Sequence, residues 1–397
     1  MATPTRSSGA TPSLTASAVA GPYRWTLVGS EGDLATYAVV QAIRRRDGTY
    51  LAIAFGPEAR ILSSADGRTW SVEPGDRGLL AASANHLSIV NGVVEGANVF
   101  VAVGATALDD ISSGDARAWT SSDGVHWQAA EASSGMTDAA MEAVAAMPDG
   151  YIAVGSDGFP GGNTQLPGAH GAAAWLSANG LHWTRAPGQT SFAGAIMTGV
   201  RRIDSGYVAW GQTIANAEAA PLTPIWTSPD GIRWVRAKGI TDAGGPGAPI
   251  AAILSTGDTL VAVGTRQLPD SLGSRSVPGA WTSADGGRTW NSAGIGDDSA
   301  DAPRSGGLSD VATDGSDLIA VGRLEPPEGQ VGPGSAGVWR SSDRGSTWTR
   351  LPDDPSFARA GMNHIVSRGA GFVVFGQADD PNAQTDPALV WVAEPSP

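Results

Sequence analysis

The chain contains no cysteine in its 397 residues, which excludes disulfides, thiolate metal sites and a cysteine nucleophile and leaves the redox compartment open. Lysine is nearly absent too: Lys238 is the only one, and arginine supplies the rest of the 25 basic residues, with no stripe of them along the chain. Against 39 acidic residues the formal charge is −14. That balance argues against nucleic acid, because binding a polyanion needs a clustered basic face that displaces counterions. No apolar run approaches the roughly 18 residues of a membrane-spanning helix, so no transmembrane segment is expected. The phosphate-cradling loop, the G-x-G-x-x-G opening of a helix, H-E-x-x-H and G-x-S-x-G are all missing. Phosphate cradling, zinc hydrolysis and a serine elbow therefore lack their carriers.

What the chain holds in quantity is glycine (54), proline (26) and tryptophan (14), the profile of many short strands joined by turns. Its length fits either one large symmetric domain or two to three smaller ones. Residues 1–21 are Ser, Thr, Ala and Pro without an apolar core and predict a disordered tether. Such a tether commonly follows a removed export signal or lipid anchor, so an extracellular or cell-surface location is expected.

Repetition decides the architecture. The stretch AWTSADGGRTW, ending at Trp290, recurs in variants ending at Trp70, Trp127, Trp183, Trp234 and Trp348. Upstream of each lies a short apolar run closed by glycine, such as VFVAVG or YIAVG, and a seventh run, FVVFG, ends at Gly376. The closing glycines are 48 to 58 residues apart, the spacing of propeller blades. Seven further strands carry an apolar anchor at one interval before these runs: Ile43, Val93, Val144, Val200, Ile253, Val311 and Ile365. Each unit predicts four antiparallel strands, and thirteen of the 14 tryptophans take repeat positions, leaving Trp210 outside. The seventh unit stops after Trp391 without a fourth strand. YRWTLV around Trp25 matches the missing strand, so residues 22–397 predict an all-β, seven-bladed propeller closed by the N-terminal strand, which removes exposed sheet edges.

Ser283, Asp285, Gly287 and Trp290 match S-x-D-x-G-x-T-W, as do Ser341 to Trp348; the other four copies are one residue shorter. In this the chain resembles the Asp-box (BNR-repeat), sialidase-like propellers. The resemblance covers nearly all of 22–397 and implies that Asp66, Asp123, Asn179, Asp230, Asp285 and Asp343 are structural turn residues on the rim, away from any site. Turn chemistry agrees: Asp accepts backbone N–H groups, Gly supplies positive φ and Trp covers the hairpin. The sialidase catalytic pattern is not found. The stretch nearest to [FY]-R-I-P is EARIL at Arg60, and Tyr50, Tyr151 and Tyr207 fall at core repeat positions. Relatives of this type include glycoside hydrolases, a photosystem assembly factor and sorting-receptor ectodomains, so fold does not choose function.

Strand alternation places the fourth-to-first and second-to-third connections on one face, opposite the Asp turns, and these are the long loops. The expected function is a glycan or protein ligand bound on that face; the alternative is a glycoside hydrolase or polysaccharide lyase with carboxylates at the mouth of the channel. Acidic loops at Asp109, Asp110 and Asp115 and at Asp297, Asp298 and Asp301 offer oxygen ligands for calcium but lack EF-hand spacing. They are read as solvated, with no cofactor expected. His126 and His182 are expected on the rim, His86 and His170 in loops. The chain is expected to be a monomer.

The residue before the inner-strand anchor is small in five units: Ala42, Gly92, Ala143, Gly199 and Ala252. Asp310 and His364 break that pattern, flanked by Ser309 and Asn363, and Glu142 lies one position earlier in the third unit. Asp310, His364 and Glu142 are the candidate catalytic residues, Ser309 and Asn363 the candidate ligand contacts. A carboxylate facing an imidazole suits acid/base work, ligand anchoring or the locking of two blades.

Overall fold

The computed structural model describes residues 21–29, 37–55, 60–73, 86–108, 114–158, 171–214, 223–238, 240, 250–270, 273–296, 304–327, 330–379 and 388–397. Residues 1–20 of the expected tether lie outside this set. Seven sheets follow one another along the chain. Their inner strands are Ala38–Arg44, His86–Glu95, Ala139–Met147, Ala195–Ile203, Ile250–Thr256, Gly306–Thr313 and Ala360–Ser367. Each inner strand contacts the next, and the seventh contacts the first, closing the ring.

The last blade is completed by the N-terminal strand, Tyr23–Gly29, paired antiparallel to Ala388–Pro395 with Trp25 opposite Ala393. Blade six departs from four strands: Gly294–Gly296, in the connection from blade five, adds a short parallel strand beside Thr347–Arg350. It covers an outer edge that would otherwise expose backbone donors and acceptors.

The core is divided between the blades. One apolar cluster fills each of the seven seams, for instance Val101, Met141, Tyr151 and Trp175 between blades two and three, and Val39, Tyr50, Val373 and Phe375 between blades seven and one. Trp210, the tryptophan outside the repeat, lies across Gly199 on the neighbouring inner strand, where a β-carbon would overlap its indole ring.

Six turns fasten these seams, five of them Ser-Asp and one Ser-Asn, in which Asn179 Oδ1 takes the place of the carboxylate oxygen. In each, the serine hydroxyl accepts the glycine N–H, as Ser283 does from Gly287 at 2.9 Å and Ser121 from Gly124 at 2.8 Å. The carboxylate gathers the following N–H groups: Asp285 takes those of Arg288 at 3.0 Å and Thr289 at 2.9 Å. The tryptophan indole donates back to the glycine carbonyl, 3.0 Å for Trp290 to Gly287. The turn of each blade also rests on the second strand of the blade before. A β-carbon on Gly67 would collide with Val373, one on Gly124 with Leu51, and one on Gly180 with Val101. The serine, acidic and indole groups of the turn are thus paired within the motif, which packs on the neighbouring blade.

Candidate functional site

Every inner strand carries a β-bulge at the same place. The register slips between Val39 and Gln41, Val90 and Gly92, Met141 and Ala143, Met197 and Gly199, Ile250 and Ala252, Leu308 and Asp310, and Met362 and His364. The bulged residues are Val40, Asn91, Glu142, Thr198, Ala251, Ser309 and Asn363. Opposite the bulge the backbones come so close that a β-carbon on Gly104, Gly155, Gly211, Gly322 or Gly376 would overlap a carbonyl oxygen of the inner strand. In those five blades the glycine that closes the apolar run is therefore the sequence trace of the bulge, whereas in blade one Ala54 takes that place, opposite Val39. The bulges gather Glu142, Ser309 and Asn363 into one layer around the central channel, with Asp310 and His364 in the layer beneath.

The register corrects the sequence assignments of blade one: Ala42, not Ile43, is the equivalent of the anchor Val93, pairing with Ala52 as Val93 pairs with Ala102. Position by position, Gln41 rather than Ala42 is equivalent to Gly92, Ala143, Gly199, Ala252, Asp310 and His364, since Gln41 pairs with Ile53 as Gly92 pairs with Val103. The cause is the hairpin of blade one: residues 45–49 separate Arg44 from Tyr50, one residue more than separates Glu95 from Phe100. The ring thus holds three polar residues at this position, on the adjacent blades six, seven and one.

These polar side chains bind across the seams. Gln41 Nε2 donates to the Asn91 carbonyl at 3.0 Å, and Asn91 Nδ2 to that of Met141 at 3.1 Å. Asp310 accepts Val311 N–H on Oδ1 at 2.8 Å and Ile365 N–H of the next blade on Oδ2 at 3.0 Å. His364 bonds the Val40 carbonyl, and its Nδ1 lies 3.9 Å from Asp310 Oδ2. Both side chains keep only about a quarter of their surface exposed, 25% for Asp310 and 26% for His364, and are ringed by protein. Burial accordingly raises the Asp310 pKa, opposed by His364, the two N–H groups and Arg201. Burial lowers that of His364, opposed by Asp310 and the Val40 carbonyl.

Glu142 is separate from this pair. Burial alone pushes its carboxyl up to about 7, with no charged group among the described residues contributing. Asn363 Nδ2 donates to Gln377 at 3.3 Å. Ser309 lines a cleft of about 430 Å³ with Thr265, Gln267, Ser305 and Arg323, at the end of blades five and six where the long connections lie. Arg323 there is held by Glu325 and, at 2.8 Å, by Asp379.

Of the remaining sequence candidates, His126 pairs with Asp123 at 2.7 Å on the exposed rim and His182 with Glu131 at 3.3 Å. His170, the His86 side chain, Asp109, Asp110, Asp297, Asp298 and Asp301 lie outside the described residues. Asp115 accepts Asp138 N–H at 3.0 Å. Among the described residues no group of three His, Asp or Glu side chains is placed to hold a metal ion, and no helix is long and apolar enough to cross a membrane.

Sequence reading missed a convergence of arginines on the Asp-turn face. Arg24, Arg68 and Arg368 meet the Glu394 carboxylate at 3.1, 2.7 and 3.2 Å. The hydrogen bonds from Arg68 and Arg24 hold its pKa down to about 2. Arg368 belongs to the same blade as Glu394, whereas Arg24 and Arg68 reach it only because the N-terminal strand and blade one close the ring against blade seven.

No protein-family model matches the sequence, and no curated protein sequence does. Solved structures do match in fold. YCF48 bound to a D1 peptide is 14% identical with a TM-score of 0.53, covering 94% of this chain and 98% of that one. The α-L-arabinofuranosidase Arb93A of Fusarium graminearum, a point mutant in complex with an iminosugar inhibitor, is 12% identical with a TM-score of 0.49, covering 94% and 98%. The β-propeller domain of the trilobed protease from Pyrococcus furiosus is 8% identical with a TM-score of 0.45, covering 90% and 93%.

Proposed function

We propose that this propeller is a binding scaffold that takes a polypeptide segment on the face of the long connections, over the channel mouth. The observation that carries this reading is the use of the channel's polar ring. Gln41, Asn91, Asp310 and His364 are spent on the backbones of neighbouring blades, so they stiffen the mouth rather than stand as a poised acid and base. A rigid ring presenting connections of varied length is suited to recognition. That YCF48, a protein of this fold, carries a bound peptide favours a polypeptide ligand over a glycan. In this reading Ser309 and Asn363 are ligand contacts, the six turns are Asp boxes with a purely structural role, and the chain acts as an exported monomer.

A second reading rests on Glu142. A carboxyl raised to about 7 by burial is the form a general acid takes, which would suit a glycoside hydrolase or polysaccharide lyase working at the channel mouth. The two readings separate in one experiment. Selection of a displayed random-peptide library on the full chain, beside a screen of chromogenic glycosides and polyuronates, returns enriched peptides and no turnover under the first. Under the second it returns turnover abolished by Glu142→Gln.

A further inference from the structure

On the opposite face, between blade four and the Asp turn of blade five, lies a cleft of about 440 Å³. Ser205, in the turn entering Gly206–Thr213, and Tyr207 form one side. Val235 and Arg236 of the outer strand Val235–Arg236, followed by Lys238, form another, and Arg288 of the Asp turn closes it. The lining includes Arg288 and Lys238, the single lysine of the sequence, and no carboxylate; Arg236 contributes to the lining too, but its guanidinium lies on the other face of blade four, where Trp226 is. None of the three cations makes an ion pair with a described carboxylate, whereas Arg24, Arg68, Arg185, Arg233, Arg323 and Arg340 all do.

The cations are placed rather than free. The Arg236 guanidinium stacks over the Trp226 ring, 5.5 Å from its centroid, and Nη1 donates to the Ala193 carbonyl at 3.4 Å. Arg288 Nη1 donates to the Asp285 backbone carbonyl at 3.3 Å. Arg288 is thus fixed by one N–H and keeps further donors for a ligand. The corresponding cleft of blade three has Asp149 at the place of Ser205 and Thr184 at that of Val235, with no arginine or lysine in its lining. Arg236 itself repeats in blade three as Arg185, which stacks over Trp175 in the same way, so Lys238 and Arg288 are what set the blade-four cleft apart.

Like charges placed side by side repel each other, and an oxyanion relieves that repulsion while accepting charge-assisted hydrogen bonds from the Arg288 guanidinium and the Lys238 ammonium. We infer that this cleft binds a compact oxyanion of two or more charges, a small phosphate- or carboxylate-bearing ligand, independently of any ligand on the long-connection face. The hydroxyls of Ser205 and Tyr207 add neutral donors, and Val235, 65% exposed, supplies an apolar wall.

Isothermal titration of the full chain with inorganic pyrophosphate and, separately, with citrate tests this at low ionic strength. The expected result is saturable one-to-one binding by at least one probe, weakened at least about tenfold in Lys238→Glu and in Arg288→Gln and weakened by added salt. Pyrophosphate as the tighter probe identifies a phosphate-type ligand, citrate a carboxylate-type one. Arg233→Ala is the control, because it removes a positive charge from an exposed arginine paired with Asp230 outside the cleft; it should leave both isotherms unchanged. Melting temperatures establish that the variants are folded. Absence of saturable binding by the parent chain, or equal weakening by Arg233→Ala and Lys238→Glu, overturns the inference.

Discussion

Tyr23 donates its hydroxyl to Asp314 Oδ2 at 2.8 Å, joining residues 291 positions apart. The bond sits at the one blade that has neither a Ser-Asp nor a Ser-Asn turn. Elsewhere a turn packs its glycine on the second strand of the preceding blade; here Tyr23 shares an apolar cluster with Ile319, on the second strand of blade six. Asp317 then links Tyr23, at 3.3 Å, to Arg340, at 2.7 Å. Burial, followed by the two carboxylates, raises the Tyr23 pKa strongly, so it stays a donor. Tyr23→Phe should lower stability by about 1–2 kcal/mol through the stranded acceptors. Trp25→Ala should cost about 3 kcal/mol through loss of its edge contact with Phe357 at 5.1 Å. Chemical denaturation measures both; full stability in Trp25→Ala would mean that the N-terminal strand does not close the ring.

The Ser-Asp turns predict a different signature. Asp285→Ala and Asp343→Ala should each destabilise the fold by about 1–3 kcal/mol, because turn N–H groups lose their acceptor, while leaving ligand binding per folded molecule unchanged. The native pKa of both carboxyls is lowered; burial opposes this, but the Thr289 and Thr347 hydroxyl and N–H bonds outweigh it. A depressed carboxylate stabilises above its unfolded pKa and loses that contribution as pH falls through the folded one. The difference between variant and parent should thus shrink on acidification below the ordinary carboxylate range. Melting curves across pH read this directly.

Gly67 has φ of +75° and its missing side chain faces Val373. Gly67→Ala combines left-handed strain with overpacking at the seam between blades seven and one, an expected loss of roughly 2–4 kcal/mol. Adding Val373→Ala opens space at the same spot. The double variant should therefore be less destabilised than the sum of the two single ones, a coupling that a denaturant-based double-mutant cycle detects.

Glu142 gives the opposite pH dependence to the turn carboxylates. Its native pKa is raised from 4.5 to about 7, so the stability it contributes is present below the unfolded value and is lost as pH rises through 7. Glu142→Gln, which fixes the neutral form, should match the parent near about pH 5 and exceed it in melting temperature near about pH 8. An equal difference at both pH values would show that the carboxyl is ordinary.

The repeat made the fold legible. Six of the seven anchors and all six turns report the same local packing, so the one-residue shift of the Ile43 anchor in blade one is outvoted, and even the strand exchange at Trp25 is written in a matching motif. Features that belong to one blade alone were harder to read. The slip to Gln41 follows from one extra hairpin residue, which leaves the apolar pattern intact. Arg24 and Arg68 reach Glu394 from the far end of the chain, and Lys238 meets Arg288 across a seam between two blades, so neither grouping is written in local spacing. Asp310 and His364 were legible as exceptions to the small residues near the axis; their bonds to Ile365 N–H and the Val40 carbonyl were not, since backbone partners leave no mark in a sequence.

The most direct test of the binding role uses a peptide selected on the full chain from a displayed library, with its affinity measured for parent, Ser309→Arg, Asn363→Arg, Lys238→Glu and Asp343→Ala proteins of confirmed fold. A ligand seated over the long-connection face predicts at least about tenfold weaker binding for the first two variants and parent-like affinity for the other two. Unchanged affinity in Ser309→Arg and Asn363→Arg, together with glycoside turnover that depends on Glu142, would contradict the binding account and leave an enzyme in its place.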